Sequence, residues 1–126
     1  MEDKTKTIIV VDDDDSVQRS FTMLLRTNGY AVETAQNGRE AIEKIEKQPF
    51  DVALVDYRLP DMDGTDLFPL IQHLSPKTVK LLITGFTAAD VAKSAEFAAD
   101  AYIEKPVKAQ DLLSIIGKAL GQVRET

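Results

Sequence analysis

Short apolar runs alternate along the chain with longer stretches of helical period. The first run, Thr7-Ile8-Ile9-Val10-Val11, is β-branched nearly throughout and long enough for a strand buried on both faces. From Ser16 the period lengthens. Val17, Phe21, Leu24 and Leu25 form one helical stripe, and Asn28-Gly29 supplies its stop. A second strand is predicted from Tyr30 to Thr34. Asn37-Gly38-Arg39-Glu40 then has the spacing of a capping box, with Ala41, Ile42 and Ile45 as the buried side of the next helix. Pro49 breaks the chain before a third strand, Asp51-Val52-Ala53-Leu54-Val55, which ends at Asp56. Tyr57 to Gly64 is a turn-rich loop. The helix after it carries Leu67, Leu70, Ile71 and Leu74, and Pro69 predicts a ladder that starts late or bends there. Ser75-Pro76 ends that helix. A strand over Val79 to Ile83, a helix through Ala88, Val91 and Ala95, and a strand over Ala101 to Ile103 follow. A last helix carries Leu112, Ile116, Ala119 and Leu120, before a frayed tail from Gly121 to Thr126.

Five strands separated by four helices, with a fifth to close, make a βα repeat. Each crossover is long enough for a right-handed parallel connection. The predicted fold class is therefore α/β, a doubly wound five-stranded parallel sheet with helices on both faces. Such a sheet reverses its strand order once, and ligands bind there, beyond the carboxyl ends of the strands. Order 2-1-3-4-5 is chosen as the common five-stranded arrangement, which puts the crevice between strands one and three.

Composition narrows the chemistry. The 126 residues suit one compact domain, and the absence of Cys excludes disulfides, thiolate zinc sites and thiol nucleophiles. One His, His73, leaves little room for a His-rich metal centre or a Ser/His/Asp triad, and its simplest place is the helix surface. A net charge of -6 argues against a direct grip on nucleic acid. No stretch approaches a membrane span and the N-terminus has no apolar core, so no membrane partner and a cytoplasmic location are expected.

The strand ends carry the candidate chemistry. Strand one ends at Asp12-Asp13, strand three at Asp56 and strand four at Thr84, while Lys105 follows strand five. Carboxylates gathered at one point repel, and Mg2+ or Mn2+, which favour oxygen ligands, relieve that repulsion. Asp13, Asp56 and the backbone carbonyl of Arg58 are the expected direct ligands, with Asp12 holding metal-bound water. Asp56 is the candidate nucleophile at phosphorus. Lys105 would neutralise charge on the transferring phosphoryl oxygens, and the Thr84 hydroxyl would donate to one of them. Singly, such residues are often turn or cap residues. Asp14 and Asp15 take that role at the start of helix one. Phe21, Phe50 and Phe68 are read as packing residues.

With these pieces in place, the chain resembles bacterial response-regulator receiver domains, the CheY-like group of flavodoxin-like folds. The matching stretches are Ile8 to Asp14, Asp51 to Gly64, Leu82 to Gly85 and Tyr102 to Pro106. The resemblance spans all of 1–126, with a core at about 5–120. It implies the 2-1-3-4-5 order and Mg2+-dependent transfer of a phosphoryl group from a sensor histidine kinase, or a phosphotransfer domain, to Asp56. It also implies slow self-dephosphorylation, a cis Lys105-Pro106 bond and control of a downstream output domain or protein. By the same resemblance Tyr102 is a switch aromatic that follows Thr84. The surface that changes is then the one made by the fourth helix, the fifth strand and the last helix. From the residues alone, Tyr102 is a half-buried strand aromatic. Arg58 and Phe86 occupy positions that tune access to the phosphoryl group in this family. The small residues Ala88, Ala89, Ala92 and Ala95 depart from the ion-pair lattice of receivers that dimerise through that surface.

Other readings fit less well. A haloacid-dehalogenase-type phosphatase wants a second Asp where Arg58 stands. A nucleotide-binding enzyme wants a glycine-rich loop where Asp12-Asp13-Asp14-Asp15 stands, and an electron-carrying flavodoxin lacks its anion loop. A conventional enzyme is thus not expected. The remaining alternative is a receiver-like interaction module that is never phosphorylated.

Overall fold

The computed structural model describes residues 5–85 and 99–121. They form β1 (Thr7–Val11), α1 (Asp15–Thr27), β2 (Ala31–Ala35), α2 (Gly38–Lys47), β3 (Val52–Asp56) and α3 (Gly64–Leu74). β4 (Val79–Thr84), β5 (Ala101–Glu104) and α4 (Ala109–Ala119) complete the described elements, so α4 is the last helix of the chain's pattern. The helix expected through Ala88, Val91 and Ala95, and Phe86 with it, lie outside the described residues.

All strands are parallel in one sheet of order β2-β1-β3-β4-β5, as expected. Period-two alternation within the buried strands builds two cores. Ile9, Val11, Ala53, Val55 and Leu82 face α2 and α3, where Ala41, Ile45, Leu67, Phe68 and Ile71 meet them. Ile8, Val10, Val52, Leu54, Leu81 and Ile83 point the other way, against Leu25 of α1 and Leu112 and Ile116 of α4. A strand apolar at every position is therefore a strand covered twice.

Local chemistry sets the element ends, and here the structure departs from the pattern in small ways. β3 starts at Val52, and Asp51 just before it accepts from the Thr7 N–H on its carboxylate at 2.8 Å. β2 runs one residue later than predicted, pairing Thr7 with Ala31. Asn37 accepts from the Glu40 N–H at 2.8 Å, but Glu40 reaches back to the N–H of Gln36, one residue before the expected partner. Asp14 caps α1 by accepting from the N–H groups of Ser16 and Val17, and Asp15 sits in the first turn.

α3 is the larger correction. It starts on time at Gly64, with an exposed Pro69 in its second turn, so the ring faces solvent and the helix forgoes one ladder bond. Its buried face is Leu67, Phe68 and Ile71, whereas Leu70 and Leu74, expected in the stripe, are 46% and 39% exposed.

Gly64 fixes how closely α3 approaches the sheet. A Cβ there would lie 2.2 Å from the Asp56 carbonyl oxygen and 2.9 Å from Val55 Cγ1. Backbone cannot yield cheaply, so Gly64→Ala is expected to destabilise the fold by about 1–3 kcal/mol. Denaturant unfolding checks this; a midpoint equal to wild type would show that the turn after β3 absorbs the methyl group.

Candidate functional site

Each strand end at the carboxyl edge is stitched to its neighbour by one bond beyond the named ladder. The Asp12 N–H donates to the Ala35 carbonyl (3.0 Å), that of Tyr57 to Ile83 (2.8 Å) and that of Lys105 to Thr84 (2.8 Å). Gln18, buried in α1, donates through Nε2 to the carbonyls of Asp12 (2.7 Å) and Ala35 (3.0 Å). These bonds hold Asp12 to the end of β2 and tie the backbones of Asp56, Thr84 and Lys105 to one another, and the β1–β3 ladder joins the two groups.

The side chains converge on this frame. Asp12, Asp56 and Thr84 are buried and Asp13 is exposed. One carboxylate oxygen from each of Asp12, Asp13 and Asp56 lies within 4.8 Å of the others. Asp56 Oδ1 accepts from Lys105 Nζ at 2.7 Å, while Oδ2 accepts from the Arg58 N–H at 3.2 Å. Asp12 Oδ1 accepts from the Asp14 N–H at 2.9 Å. An open cleft of about 470 Å³ lies over Asp56, walled by Asp13, Arg58, Thr84 and Lys105 among others.

Burial pushes the Asp12 carboxyl up to about 6; the Asp14 N–H and Lys105 pull it back, and the charges of Asp56 and Asp13 add to the rise. Burial draws the Lys105 ammonium down, but the hydrogen bond and charge of Asp56 more than offset that and leave its pKa above the usual lysine value. Three carboxylate oxygens gathered at this spacing suit a divalent cation that favours oxygen ligands.

The expected site residues Asp12, Asp13, Asp56, Arg58, Thr84 and Lys105 thus meet at one edge. The Lys105-Pro106 bond is cis. Tyr102 lies on β5 beside Leu82 and is 39% exposed, further out than the half-buried position read from the pattern. His73 is exposed late in α3; Phe50 and Phe68 are buried and Phe21 partly so. Three contributors escaped the pattern: Gln18, Gly64 and Asp61, whose carboxylate accepts from the N–H groups of Gly38 and Arg39. Neither helical nor strand period marks any of the three: Gln18 depends on the adjacent ends of β1 and β2, and the other two on tertiary approach.

Fold and site together define a doubly wound α/β domain with an acidic, metal-competent carboxyl edge. The sequence model described as the response regulator receiver domain matches residues 8–117, and the chain belongs to that family. It is 37% identical over 114 residues to the transcriptional regulatory protein ZraR of Escherichia coli (strain K12), covering 90% of this chain and 26% of that protein. Against the response regulator receiver protein CpdR of Brucella abortus (strain 2308) it is 32% identical over 116 residues, 91% of this chain and 97% of the relative. The chain thus spans about a quarter of the ZraR regulators it matches and nearly all of CpdR. Among solved structures, the CheY-like receiver domain protein of Methanospirillum hungatei JF-1 superimposes with a TM-score of 0.88 at 39% identity, covering 94% of this chain and 96% of that one. No helix among the described residues is long and apolar enough to cross a membrane.

The raised Asp12 pKa has a signed consequence. Between its ordinary value of 3.8 and about 6, the folded protein binds more protons than the unfolded chain, so stability falls as pH rises through that window. Asp12→Asn keeps an acceptor for the Asp14 N–H and removes the charge. In metal-free buffer the variant should gain about 1–3 kcal/mol on wild type between pH 4 and pH 6.5. Urea unfolding across that range measures the gain, and a pH-independent difference would contradict it.

Proposed function

We propose that this receiver accepts a phosphoryl group on Asp56 and relays the event to its surface. The observation that carries the reading is the Asp56 carboxylate at the base of the cleft, paired with Lys105 at 2.7 Å and clustered with Asp12 and Asp13. Asp13, Asp56 and the Arg58 carbonyl would hold Mg2+ (or Mn2+), with Asp12 holding its water. The ion, when bound, supplies positive charge for the phosphoryl oxygens. A carboxylate oxygen of Asp56 forms the new O–P bond as the P–N bond of a sensor kinase or phosphotransfer-domain phosphohistidine breaks, or the P–O bond of a small phosphodonor. Lys105 turns from the carboxylate to the phosphoryl group, and the Thr84 hydroxyl donates to it. Slow loss to water follows; the chain is otherwise no conventional enzyme. The receiver domain comprises 1–126 on this reading, with its core at 5–120. It works in the cytoplasm, without gripping nucleic acid or membrane, through a downstream output domain or protein.

Membership of the receiver family supports a switch on the same reading. Thr84, buried at the end of β4, is drawn toward the phosphoryl group, and the exposed Tyr102 ring on the neighbouring strand moves into the space it vacates. One or two charge-assisted hydrogen bonds supply about 1.5–3 kcal/mol each, enough to shift an equilibrium between packings that already lie close. The surface so altered is that of the segment after β4, β5 and α4. Arg58 and Phe86 would govern water's access to the phosphoryl group. The reading as an unphosphorylated interaction module is disfavoured by the convergence of Asp13, Asp56 and Lys105.

Incubation with Mg2+ and acetyl phosphate should add the mass of one phosphoryl group, and Asp56→Asn or chelation should prevent it. No adduct on wild type by intact mass at low temperature would favour the interaction module. For the switch, Tyr102→Trp should change its fluorescence when beryllofluoride is added with Mg2+, and Thr84→Val in that background should shrink the change while leaving phosphorylation intact. An undiminished signal in the Thr84→Val background would separate Tyr102 from Thr84.

A further inference from the structure

The loop after β3 is a small closed unit. Arg58 and Asp63 form an isolated antiparallel bridge, the Leu59 N–H donates to the Met62 carbonyl at 3.1 Å, and the Gly64 N–H donates to Tyr57. Those bonds tie the loop to itself. Its tip is joined to another element by Asp61, whose Oδ1 accepts from the Gly38 N–H at 2.9 Å and whose Oδ2 accepts from the Arg39 N–H at 3.0 Å. Both belong to the first turn of α2, where helical N–H groups have no partner within the helix. Asn37 serves the next one, that of Glu40, from inside the same segment. Met62 lies over Gly38 so closely that a Cβ there would fall 2.5 Å from its sulfur. Carboxylate and thioether therefore grip α2 together.

We propose that Asp61 is a positioning residue for the metal and phosphoryl site, clasping the loop that presents the Arg58 backbone to the N-terminus of α2. The inference rests on the reading of the cleft as a Mg2+ site and adds a support which that reading does not contain. The Arg58 carbonyl belongs to the two-stranded base of the loop, and the Arg58 N–H already binds Asp56 Oδ2. Motion of the tip is transmitted through that bridge to Arg58. With Asp61 in place the loop has two anchors, the sheet through Tyr57 and α2 through its tip; without it, the second is left to the packing of Met62 on Gly38 alone. A preorganised ligand binds a dication more tightly than one that must be ordered on binding.

A carboxylate at a helix N-terminus also has a plain structural role, which is to stabilise α2. The two roles separate because Asn37 caps the same helix without touching the loop. Mg2+ affinity is measured by isothermal titration on the full chain for wild type, Asp61→Ala and Asn37→Ala, with thermal unfolding of each in the metal-free state. Asp61→Ala should weaken Mg2+ binding by about tenfold, the scale of a lost outer support. Asn37→Ala should lower the unfolding midpoint yet keep Mg2+ affinity within about twofold of wild type. Asp61→Asn, which keeps one acceptor, should fall between wild type and Asp61→Ala, and it carries the test if the alanine variant does not fold. Mg2+ affinity unchanged in the Asp61 variants, or weakened alike by Asn37→Ala, overturns the proposal while leaving the metal site intact. Failure of wild type to bind Mg2+ at all overturns the site reading itself, and the clasp with it.

Discussion

Carboxylate oxygens from Asp12, Asp13 and Asp56 stand within 4.8 Å of one another, two of the three residues buried. Like charges so placed repel, and removal from water strengthens the repulsion. No local preference would gather them; the sheet does. β1 and β3 are neighbours because the strand order reverses there, and both are clamped between two helical layers by side chains with almost no exposure. The core therefore holds a strained charge cluster that the cluster alone would disperse. Burial first, and the charges of Asp56 and Asp13 after it, raise the Asp12 carboxyl to about 6, and Lys105, paired with Asp56, offsets part of that rise.

Buried polarity alone does not mark a site in this fold, as the opposite edge of the sheet makes clear. There the Lys80 ammonium is buried too, but it donates to the Thr78 carbonyl at 3.1 Å and lies 3.6 Å from the Asp100 carboxylate. Thr78 Oγ1 meets the Phe50 carbonyl at 2.7 Å, and Asp51 receives from both the N–H and the hydroxyl of Thr7. Each charge or dipole has a complementary neighbour, so that edge gains nothing from a ligand. At the carboxyl edge, among the described residues, three acids share one lysine ammonium, which lies at hydrogen-bond distance of Asp56. The excess of negative charge there is what a divalent cation would offset.

What was legible in the sequence followed from one-dimensional regularities. Ile8 to Val11 and Val52 to Val55 announce doubly covered strands because every position is apolar, and the acids, Thr84 and Lys105 stand where those runs stop. Contacts that join distant segments were not legible. Asp61 looks like any turn carboxylate until α2 is laid beside it, and Gly64 like any turn glycine until the Asp56 carbonyl is found against it. Gln18 is polar within an otherwise apolar face, and only the adjacent ends of β1 and β2 give its amide a partner. The helical period misplaced Leu70 and Leu74 because the stripe that faces the sheet runs through Gly64, Leu67, Phe68 and Ile71, which leaves those two at its border. Phe86 and the small alanines after it lie outside the described residues.

A rigid frame raises the question of where a local event can reach the surface. β1, β3 and β4 have ladder partners on both sides and are buried at nearly every position, so displacing any of them would break two sets of bonds and open a core. β5 differs. It is four residues long, pairs with β4 alone, and alternates between partly buried and exposed positions. Its side chains can change rotamer without loss of a ladder bond, and Tyr102 already stands partly in solvent. The strand is nonetheless tied to the site, since the Lys105 N–H binds the Thr84 carbonyl and the Lys105 ammonium binds Asp56. On the proposed reading, chemistry at the acidic cluster would reach the surface through this short edge strand, since the central strands that assemble the cluster are paired on both sides.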